Sequence, residues 1–308
     1  MKLDLVSLLS SDNIILPGLL FTPSPSTKKV AVWLHGMGDS AVFYKPDLVN
    51  ALGQALTDRG IALLAFNNRG AHNSKGLGIA DETLPEEDRR YQGGTYYELI
   101  ADCVKDIDGA VAFLKQNGFS TFYLLGHSTG ANKVCAYQAR AAQNPFSKYV
   151  LAAPGDDTGL MFKGLGPKKF WAALNYAARF ADTEPFRIMP KYTGMYPFSA
   201  RSAWDILNPD GDYNTFPFYE AKTERLGKKP LFAEYQKIDL PTLVILGEYD
   251  EYTATAGGTQ AALDLFMRHT SNSRLKDTDF NSVPDADHSF NGQQAVFAGQ
   301  VADWLAHG

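Results

Sequence analysis

The stretch that decides the fold spans residues 122–130 and reads Phe122-Tyr123-Leu124-Leu125-Gly126-His127-Ser128-Thr129-Gly130. An apolar run typical of a buried strand leads into Gly-x-Ser-x-Gly, and residues 131–143 have helical spacing. A serine on such a strand-to-helix turn needs small residues two positions before and two positions after it, because the turn crowds the backbone. The chain has no second copy of this motif. The motif predicts that Ser128 is a nucleophile at the carboxyl edge of a sheet, and a purely structural turn is the alternative.

Outward from this motif, apolar runs alternate with segments of helical spacing. The predicted strands include two short ones within 2–22 and runs at 29–34, 61–66, 121–125, 149–153, 243–246 and 276–283. The predicted helices are 47–59, 96–117, 131–143, 258–269 and 293–307, and residues 71–94 are predicted as a loop. Such alternation predicts an α/β fold, with a parallel sheet covered on both faces by right-handed crossovers.

Residues 155–235 interrupt this alternation with glycines, prolines and scattered aromatic residues. A plain loop of that length is uncommon in a compact domain. We therefore predict an inserted helical cap at 155–235, with a core formed by 1–154 and 236–308.

A serine hydroxyl is a poor nucleophile until a base accepts its proton. Among six histidines, His288 stands in the loop between the last predicted strand and the last predicted helix, where it can reach Ser128. His288 is therefore the predicted base. His72, at the edge of a glycine-rich loop, is the main rival, and the simpler interpretation of His288 is an ordinary loop histidine.

The base needs a carboxylate that holds its tautomer and stabilises the imidazolium. Asp250 follows the predicted strand 243–246 at a point where the backbone has left the strand. It is the predicted acid, and Asp156 or Asp157, after the preceding strand, are the alternatives.

Acyl transfer also requires donors aimed at the developing oxyanion. The residue after the nucleophile supplies one donor, the Thr129 N–H. His35-Gly36-Met37-Gly38 follows an early strand, and its glycines allow close backbone approach, so the Met37 N–H is the second predicted donor. A plain strand-end turn is the alternative interpretation of that segment.

The predicted cap is rich in aromatic residues, since its 81 residues hold 16 of the 38 in the chain. A small cap needs aromatic side chains for its own core. A cap above the carboxyl edge of the sheet would also place some rings in the substrate cleft. Trp171, Tyr176 and Trp204 are the predicted substrate-binding residues.

Composition excludes several classes of function for this 308-residue chain. A net charge of −5 without basic runs argues against nucleic-acid binding. The two cysteines cannot build a disulfide framework, and the N-terminal residues lack a signal-peptide pattern. No apolar run is long enough to span a membrane, so a soluble, cytoplasmic protein is expected. The histidines lack metal-ligand spacing and no dinucleotide fingerprint follows a strand, so neither a metal nor another cofactor is expected. The oligomeric state stays open.

The order Ser128, Asp250, His288, with His35-Gly36 upstream, resembles the α/β-hydrolase superfamily. The loop Asn67-Asn68-Arg69-Gly70-Ala71-His72-Asn73-Ser74 is similar to the arginine-glycine loop of its serine esterase, monoglyceride-lipase and feruloyl-esterase branches. The resemblance implies an eight-stranded, mostly parallel sheet with helices on both faces, and a cap between its sixth and seventh strands. It also implies a Ser-Asp-His triad, with Met37 and Thr129 as the oxyanion donors.

The expected function is hydrolysis of small-molecule carboxylic esters through an acyl-enzyme on Ser128. The substrate is expected to place an apolar or aromatic group under the cap. The alternatives are an amidase, a peptidase or a thioesterase that uses the same triad. A non-catalytic scaffold is a further alternative, disfavoured because every catalytic position carries the required residue type.

Overall fold

The computed structural model describes residues 1–307. Its strands are β1 (Lys2–Leu9), β2 (Ile15–Thr22), β3 (Lys29–Leu34), β4 (Ala62–Phe66), β5 (Lys75–Gly78), β6 (Arg90–Gly93), β7 (Thr121–His127), β8 (Phe146–Ala152), β9 (Thr242–Gly247) and β10 (Thr278–Val283). Its α-helices are α1 (Pro46–Thr57), α2 (Cys103–Gln116), α3 (Thr129–Arg140), α4 (Asp157–Leu165), α5 (Pro167–Phe180), α6 (Ala200–Leu207), α7 (Phe218–Lys222), α8 (Thr259–His269), α9 (Asn272–Leu275) and α10 (Gln294–Ala306).

Eight of these strands form one sheet in the order β1-β2-β4-β3-β7-β8-β9-β10. The pairs β1·β2 and β2·β4 are antiparallel, and the remaining pairs are parallel. This architecture confirms the predicted α/β fold with an eight-stranded, mostly parallel sheet. Because side chains alternate across a strand, Leu124 and Leu125 of β7 pack into two different hydrophobic clusters, one on each face of the sheet.

The carboxyl ends of β3, β7, β8, β9 and β10 lie at one edge of the sheet, because these neighbouring strands are parallel. Each predicted catalytic residue stands at or just after one of these ends. The topology thus places residues that are far apart in the chain at a common edge.

The region 71–94, predicted as a loop, contains a second, two-stranded sheet formed by β5 and β6. The two strands pair antiparallel, with Lys75 opposite Gly93 and Gly78 opposite Arg90. Each strand has only four residues, and glycine and charged residues make up most of them. The prediction was wrong here because such short polar strands carry no apolar alternation that a sequence pattern could register.

Four helices, α4 to α7, lie between β8 and β9, in the segment where an inserted cap was predicted. Many aromatic side chains of this segment are fully buried in the main hydrophobic cluster and pack edge-on against Phe266 of α8, namely Phe216, Phe218, Phe232 and Tyr235. They pack this segment against α8, the helix that follows β9. The division into a core of 1–154 and 236–308 and a cap of 155–235 stays a prediction.

One attachment of these helices fixes where α2 begins. The buried carboxylate of Asp205 on α6 accepts the N–H of Ile100 at 2.8 Å. Ile100 starts a 3₁₀ turn, and the α-helix begins only at Cys103, later than the predicted start at residue 96. Burial raises the pKa of the Asp205 carboxyl to about 7.

We expect Asp205→Asn to change how stability depends on pH. A carboxyl with a raised folded-state pKa stabilises the fold at low pH, and that contribution is lost as pH rises from the unfolded value of about 3.9 to the folded value. Wild type should therefore lose about 1 kcal/mol of unfolding free energy per pH unit relative to Asp205→Asn between pH 4 and 7. Urea unfolding at several pH values measures the difference. Asp264→Asn, which changes an exposed acid on α8, is the control. A difference in unfolding free energy between wild type and Asp205→Asn that stays constant with pH would contradict this prediction.

Candidate active site

The turn between β7 and α3 holds Ser128 in a conformation that is rare for a residue with a side chain, with φ at 55° and ψ at −125°. The Ser128 N–H donates to the Ala152 carbonyl of β8 at 2.9 Å. A Cβ atom at Gly126 would lie 2.1 Å from the Gly130 carbonyl oxygen, and one at Gly130 would lie 2.3 Å from the Leu34 carbonyl oxygen. The backbone therefore closes this turn only with glycine at both positions, as the motif predicts.

Ser128, His288 and Asp250 form a continuous hydrogen-bonded series. His288 Nε2 is 2.9 Å from Ser128 Oγ, and His288 Nδ1 is 2.9 Å from Asp250 Oδ1. An ionised carboxylate can only accept, so Nδ1 carries the proton and Nε2 is free to accept one from the serine hydroxyl. The structure brings together the three residues predicted from sequence, in the arrangement that activates a serine. His72, the rival base, makes no hydrogen bond to Ser128 in the described part of the chain.

Backbone contacts fix the orientation of the Asp250 carboxylate. The side chain is buried, and its Oδ1 also accepts the Tyr252 N–H at 3.0 Å, at the start of a short 3₁₀ turn. Asp156, an alternative acid, accepts the N–H groups of Gly159 and Tyr219 instead, at 2.8 and 2.6 Å. Asp156 therefore caps α4 and lies outside the hydrogen-bonded series.

Three contacts hold the loop that carries His288. The Tyr252 ring stacks on the His288 ring with centroids 4.0 Å apart, and the His288 N–H donates to the Glu251 carboxylate at 3.1 Å. His127 Nε2 lies 2.8 Å from the His288 carbonyl oxygen. Burial lowers the pKa of His127 well below its ordinary value, so its ring is neutral and Nε2–H donates to that carbonyl. Nothing in the sequence pattern around His127 indicated this positioning contact.

The two backbone N–H groups predicted as oxyanion donors, those of Thr129 and Met37, lie near Ser128. Thr129 is the first residue of α3, and Met37 lines the same cavity as Ser128. In the part of the chain that the structure describes, neither N–H donates to another protein group. An unpaired donor beside a nucleophile is available to an oxyanion.

The peptide that carries the Met37 N–H is oriented through its carbonyl. His35 Nδ1 lies 2.9 Å from the Gly36 carbonyl oxygen, which also accepts the Asp39 N–H at 3.3 Å. Burial lowers the pKa of His35 to about 3, so the ring is neutral and donates through Nδ1. Because C=O and N–H point in opposite directions across a trans peptide, fixing this carbonyl also fixes the Met37 N–H. Nothing in the sequence pattern indicated this role for His35.

Ser128 and His288 open into a cavity of about 290 Å³. Its walls combine apolar side chains with charged ones, among them Met37, Lys45, Asp157, Leu160, Met161, Tyr196, Glu251 and Tyr252. Lys45 is held in place by Asp39, 3.1 Å away, and by Ser289, whose hydroxyl accepts from Lys45 Nζ at 2.9 Å.

The structure does not place Trp171, Tyr176 or Trp204 in the walls of this cavity. Trp171 lies edge-on to Phe170 at the surface of α5, and 37% of the residue is exposed. The Tyr176 hydroxyl accepts from Arg187 Nε at 2.7 Å, and Trp204 is also 37% exposed. The buried faces of α5 and α6 carry mainly smaller residues such as Ala173, Ala177 and Ala203, which allow close helix packing and leave the larger rings at the edges. These three predicted binding residues therefore lie outside the cavity that contains Ser128.

The residues that the structure describes hold neither a membrane-spanning helix nor a cluster of metal-ligand side chains. Among residues 1–307, every helix is too short or too polar to span a lipid bilayer. Within the same residues, no three His, Cys, Asp or Glu side chains are grouped as metal ligands would be.

The fold and this site define an α/β hydrolase. The family model described as alpha/beta hydrolase fold matches residues 32–288, and the chain belongs to that family. The resemblance stated from the sequence is confirmed. Among curated proteins, none is similar enough in sequence to be a match.

Solved structures share the fold at low sequence identity. A soluble variant of monoglyceride lipase from Saccharomyces cerevisiae, in complex with a substrate analogue, is 16% identical with a TM-score of 0.61, and the match covers 99% of this chain and 98% of that one. Est1E from Butyrivibrio proteoclasticus, with ferulic acid bound, is 14% identical with a TM-score of 0.59, covering 97% and 98%. A carboxylesterase from Bacillus subtilis is 15% identical with a TM-score of 0.56, covering 100% and 93%.

Proposed function

We propose that the protein is a serine hydrolase of small-molecule carboxylic esters. The observation that carries this proposal is the series Ser128–His288–Asp250, joined by two contacts of 2.9 Å and open to a cavity. The unpaired N–H groups of Met37 and Thr129 beside the serine support acyl transfer in particular, because such donors stabilise the negative charge that develops on a carbonyl oxygen.

In the proposed mechanism, Ser128 Oγ attacks the ester carbonyl while His288 Nε2 accepts the hydroxyl proton. The carbonyl oxygen becomes an oxyanion that the Met37 and Thr129 N–H groups stabilise. As the tetrahedral intermediate collapses, the C–O bond to the alcohol breaks and His288 returns the proton to the leaving oxygen. Water then attacks the acyl-enzyme with His288 again as base, which releases the carboxylic acid and restores Ser128.

An apolar groove next to the cavity supports an apolar group on the substrate. This groove has a volume of about 270 Å³ and is lined by Leu160, Met161, Gly164, Leu165, Gly194, Met195 and Tyr196. It shares Leu160, Met161 and Tyr196 with the cavity that contains Ser128, so one substrate chain can occupy both spaces. In this proposal, residues 155–235 act as a cap over the core of 1–154 and 236–308, and α4 with the loop at 194–196 forms the chain-binding surface.

We expect Gly164→Leu to shift the preferred chain length toward short esters. A Cβ atom at Gly164 meets no other atom within 4 Å, so a leucine there fills the groove without straining the helix. The ratio of kcat/KM for octanoyl to acetyl p-nitrophenyl esters should fall about tenfold or more, since removing room for a few methylenes is worth 1–3 kcal/mol. Gly299→Leu, at an equally open helical glycine of α10, controls for the change in helix propensity. If Gly164→Leu leaves the chain-length preference unchanged, the acyl chain of the substrate does not bind in this groove.

A labelling experiment and a substrate panel test the proposed function itself. A fluorophosphonate probe should label wild type at Ser128, whereas a scaffold without catalytic function should remain unlabelled. Ester, thioester and amide substrates with one common acyl group then separate an esterase from a thioesterase, an amidase or a peptidase. If the thioester or the amide is turned over faster than the ester, the preferred substrate is a thioester or an amide, and the proposed ester hydrolysis is wrong.

A further inference from the structure

Asp157 is a charged residue of the cavity that the proposed mechanism does not use. It is the first residue of α4 and follows β8, whose neighbour β7 leads to Ser128. The capping role at this helix belongs to Asp156, whose two oxygens accept the Gly159 and Tyr219 N–H groups. Asp157 therefore does not supply the cap of α4, and it lines the cavity that contains Ser128 and His288.

The protein does little to satisfy the Asp157 carboxylate. Its hydrogen-bond donor is the Thr129 hydroxyl, at a long 3.4 Å, and that hydroxyl in turn accepts from Tyr213 Oη at 3.5 Å. Among the residues that the structure describes, no basic side chain lies within ion-pair distance of Asp157. Asp39, on another wall of the same cavity, differs because Lys45 Nζ lies 3.1 Å from its carboxylate.

The charges around this carboxyl leave the cavity acidic. Asp39 and Lys45 offset each other, and Glu251 adds a second carboxylate, which accepts the His288 N–H at 3.1 Å. Burial raises the pKa of the Asp157 carboxyl to about 7, and the neighbouring Asp156 adds to that rise while His288 opposes it. Asp157 is thus an acceptor when ionised, in a space that a bound substrate would close to water.

A wholly apolar substrate would bury this acceptor without a partner, which is costly for a polar group and more so for a charge. We propose that the preferred ester carries a hydrogen-bond donor close to the scissile bond, an ammonium or a hydroxyl group, that binds the Asp157 carboxylate. This inference rests on the proposed function, and it makes Asp157 a specificity-determining residue. The apolar part of the same substrate would lie in the neighbouring groove along α4.

Matched esters test this inference. Three p-nitrophenyl esters share one acyl skeleton and carry a methyl, a hydroxyl or an ammonium group at the same carbon near the carbonyl. For wild type, kcat/KM should be about tenfold or more higher for the better of the two donor esters than for the methyl ester, mainly through a lower KM. The ammonium and hydroxyl arms distinguish a cationic from a neutral donor.

In Asp157→Asn, the ratio of the ammonium ester to the methyl ester should fall about tenfold. Asp47→Asn is the matched control, because it also removes a first-turn acid, from the exposed start of α1, and it should retain the wild-type ratio. Equal ratios in Asp157→Asn and wild type would overturn the inference. Equal kcat/KM for the methyl ester and both donor esters in wild type would also overturn it. The proposed ester hydrolysis would still stand in that case. A wild type that hydrolyses none of the esters and is not labelled by the probe would instead refute the proposed function.

A measurement on wild type alone does not depend on how the variant folds. Measured with a further ester of the same skeleton that carries a guanidinium group, which stays charged across this range, the guanidinium-to-methyl ratio should rise as pH increases through about 7, because Asp157 then ionises. The methyl ester serves as the internal reference, so any effect of pH that is common to both substrates cancels in the ratio. A ratio that is flat or falls across this range would also contradict the inference.

Discussion

Ser128→Ala should lower kcat for ester hydrolysis by roughly 10⁴- to 10⁶-fold. The substitution removes the atom that forms the acyl-enzyme, and the remaining groups offer only binding and oxyanion stabilisation. The fold should persist, because the contact of residue 128 that joins β7 to β8 is made by its backbone N–H to the Ala152 carbonyl.

Ester hydrolysis under saturating substrate and labelling by a fluorophosphonate probe both measure this effect. Ser289→Ala is the matched control, since Ser289 lines the same cavity but its hydroxyl accepts from Lys45. Labelling should be lost in Ser128→Ala and retained in Ser289→Ala. Hydrolysis within tenfold of wild type in Ser128→Ala would remove Ser128 from the mechanism.

Asp250→Asn should lower kcat by about 10⁴-fold. The Asp250 carboxylate accepts from His288 Nδ1–H at 2.9 Å and so leaves Nε2 unprotonated. Oδ1 also accepts the Tyr252 N–H, so the oxygen of an asparagine is held at the same position, where it carries no negative charge to stabilise the imidazolium that forms as Ser128 loses its proton.

Steady-state kinetics on the same ester measure this loss, with circular dichroism to verify that the variant is folded. Glu248→Gln is the control, because it neutralises a neighbouring acid whose carboxylate accepts the Asp285 N–H outside the series. The contrary outcome is that Asp250→Asn keeps more than a tenth of the wild-type rate while Asp156→Asn loses its activity. The carboxylate that supports His288 would then be Asp156, after β8, and not Asp250, after β9.

The parts of the site that could be predicted from sequence are those fixed by local backbone chemistry and strand order. The turn at Ser128 requires glycine at 126 and 130, because their neighbours leave no space for a Cβ atom, and this requirement appears directly as a motif. Asp250 and His288 follow the ends of apolar runs, and parallel strands bring such ends to one edge of the sheet.

The supporting contacts could not be predicted, since they depend on which side chains meet in three dimensions. His127 donates to a carbonyl 161 residues away, and no pattern near either residue indicates that pairing. The same limit explains why Trp171, Tyr176 and Trp204 do not line the cavity, because helical spacing does not indicate which element a helix face packs against. Composition favours Trp171, yet apolar residues of α4 such as Leu160 and Met161 line the groove beside the cavity, and only the packing of the helices separates the two.

The late start of α2 has a similar origin. Residues 96–102 have helical spacing, yet Leu99 is extended and the Ile100 N–H donates to Asp205 on α6. A tertiary hydrogen bond thus overrides a local preference, and only the partner element reveals it.

The large sequence separation within the hydrogen-bonded series bears on how the protein folds. Ser128 and His288 are 160 residues apart, and His288 and Asp250 are 38 apart. Isolated helices form within microseconds, whereas pairing of parallel strands requires closure of long loops and is intrinsically slow. The series exists only after β7, β8, β9 and β10 are aligned, so a chain with native helix content but an incomplete sheet has no assembled nucleophile. During refolding, recovery of hydrolysis therefore reports completion of the whole sheet, while far-ultraviolet circular dichroism reports earlier events.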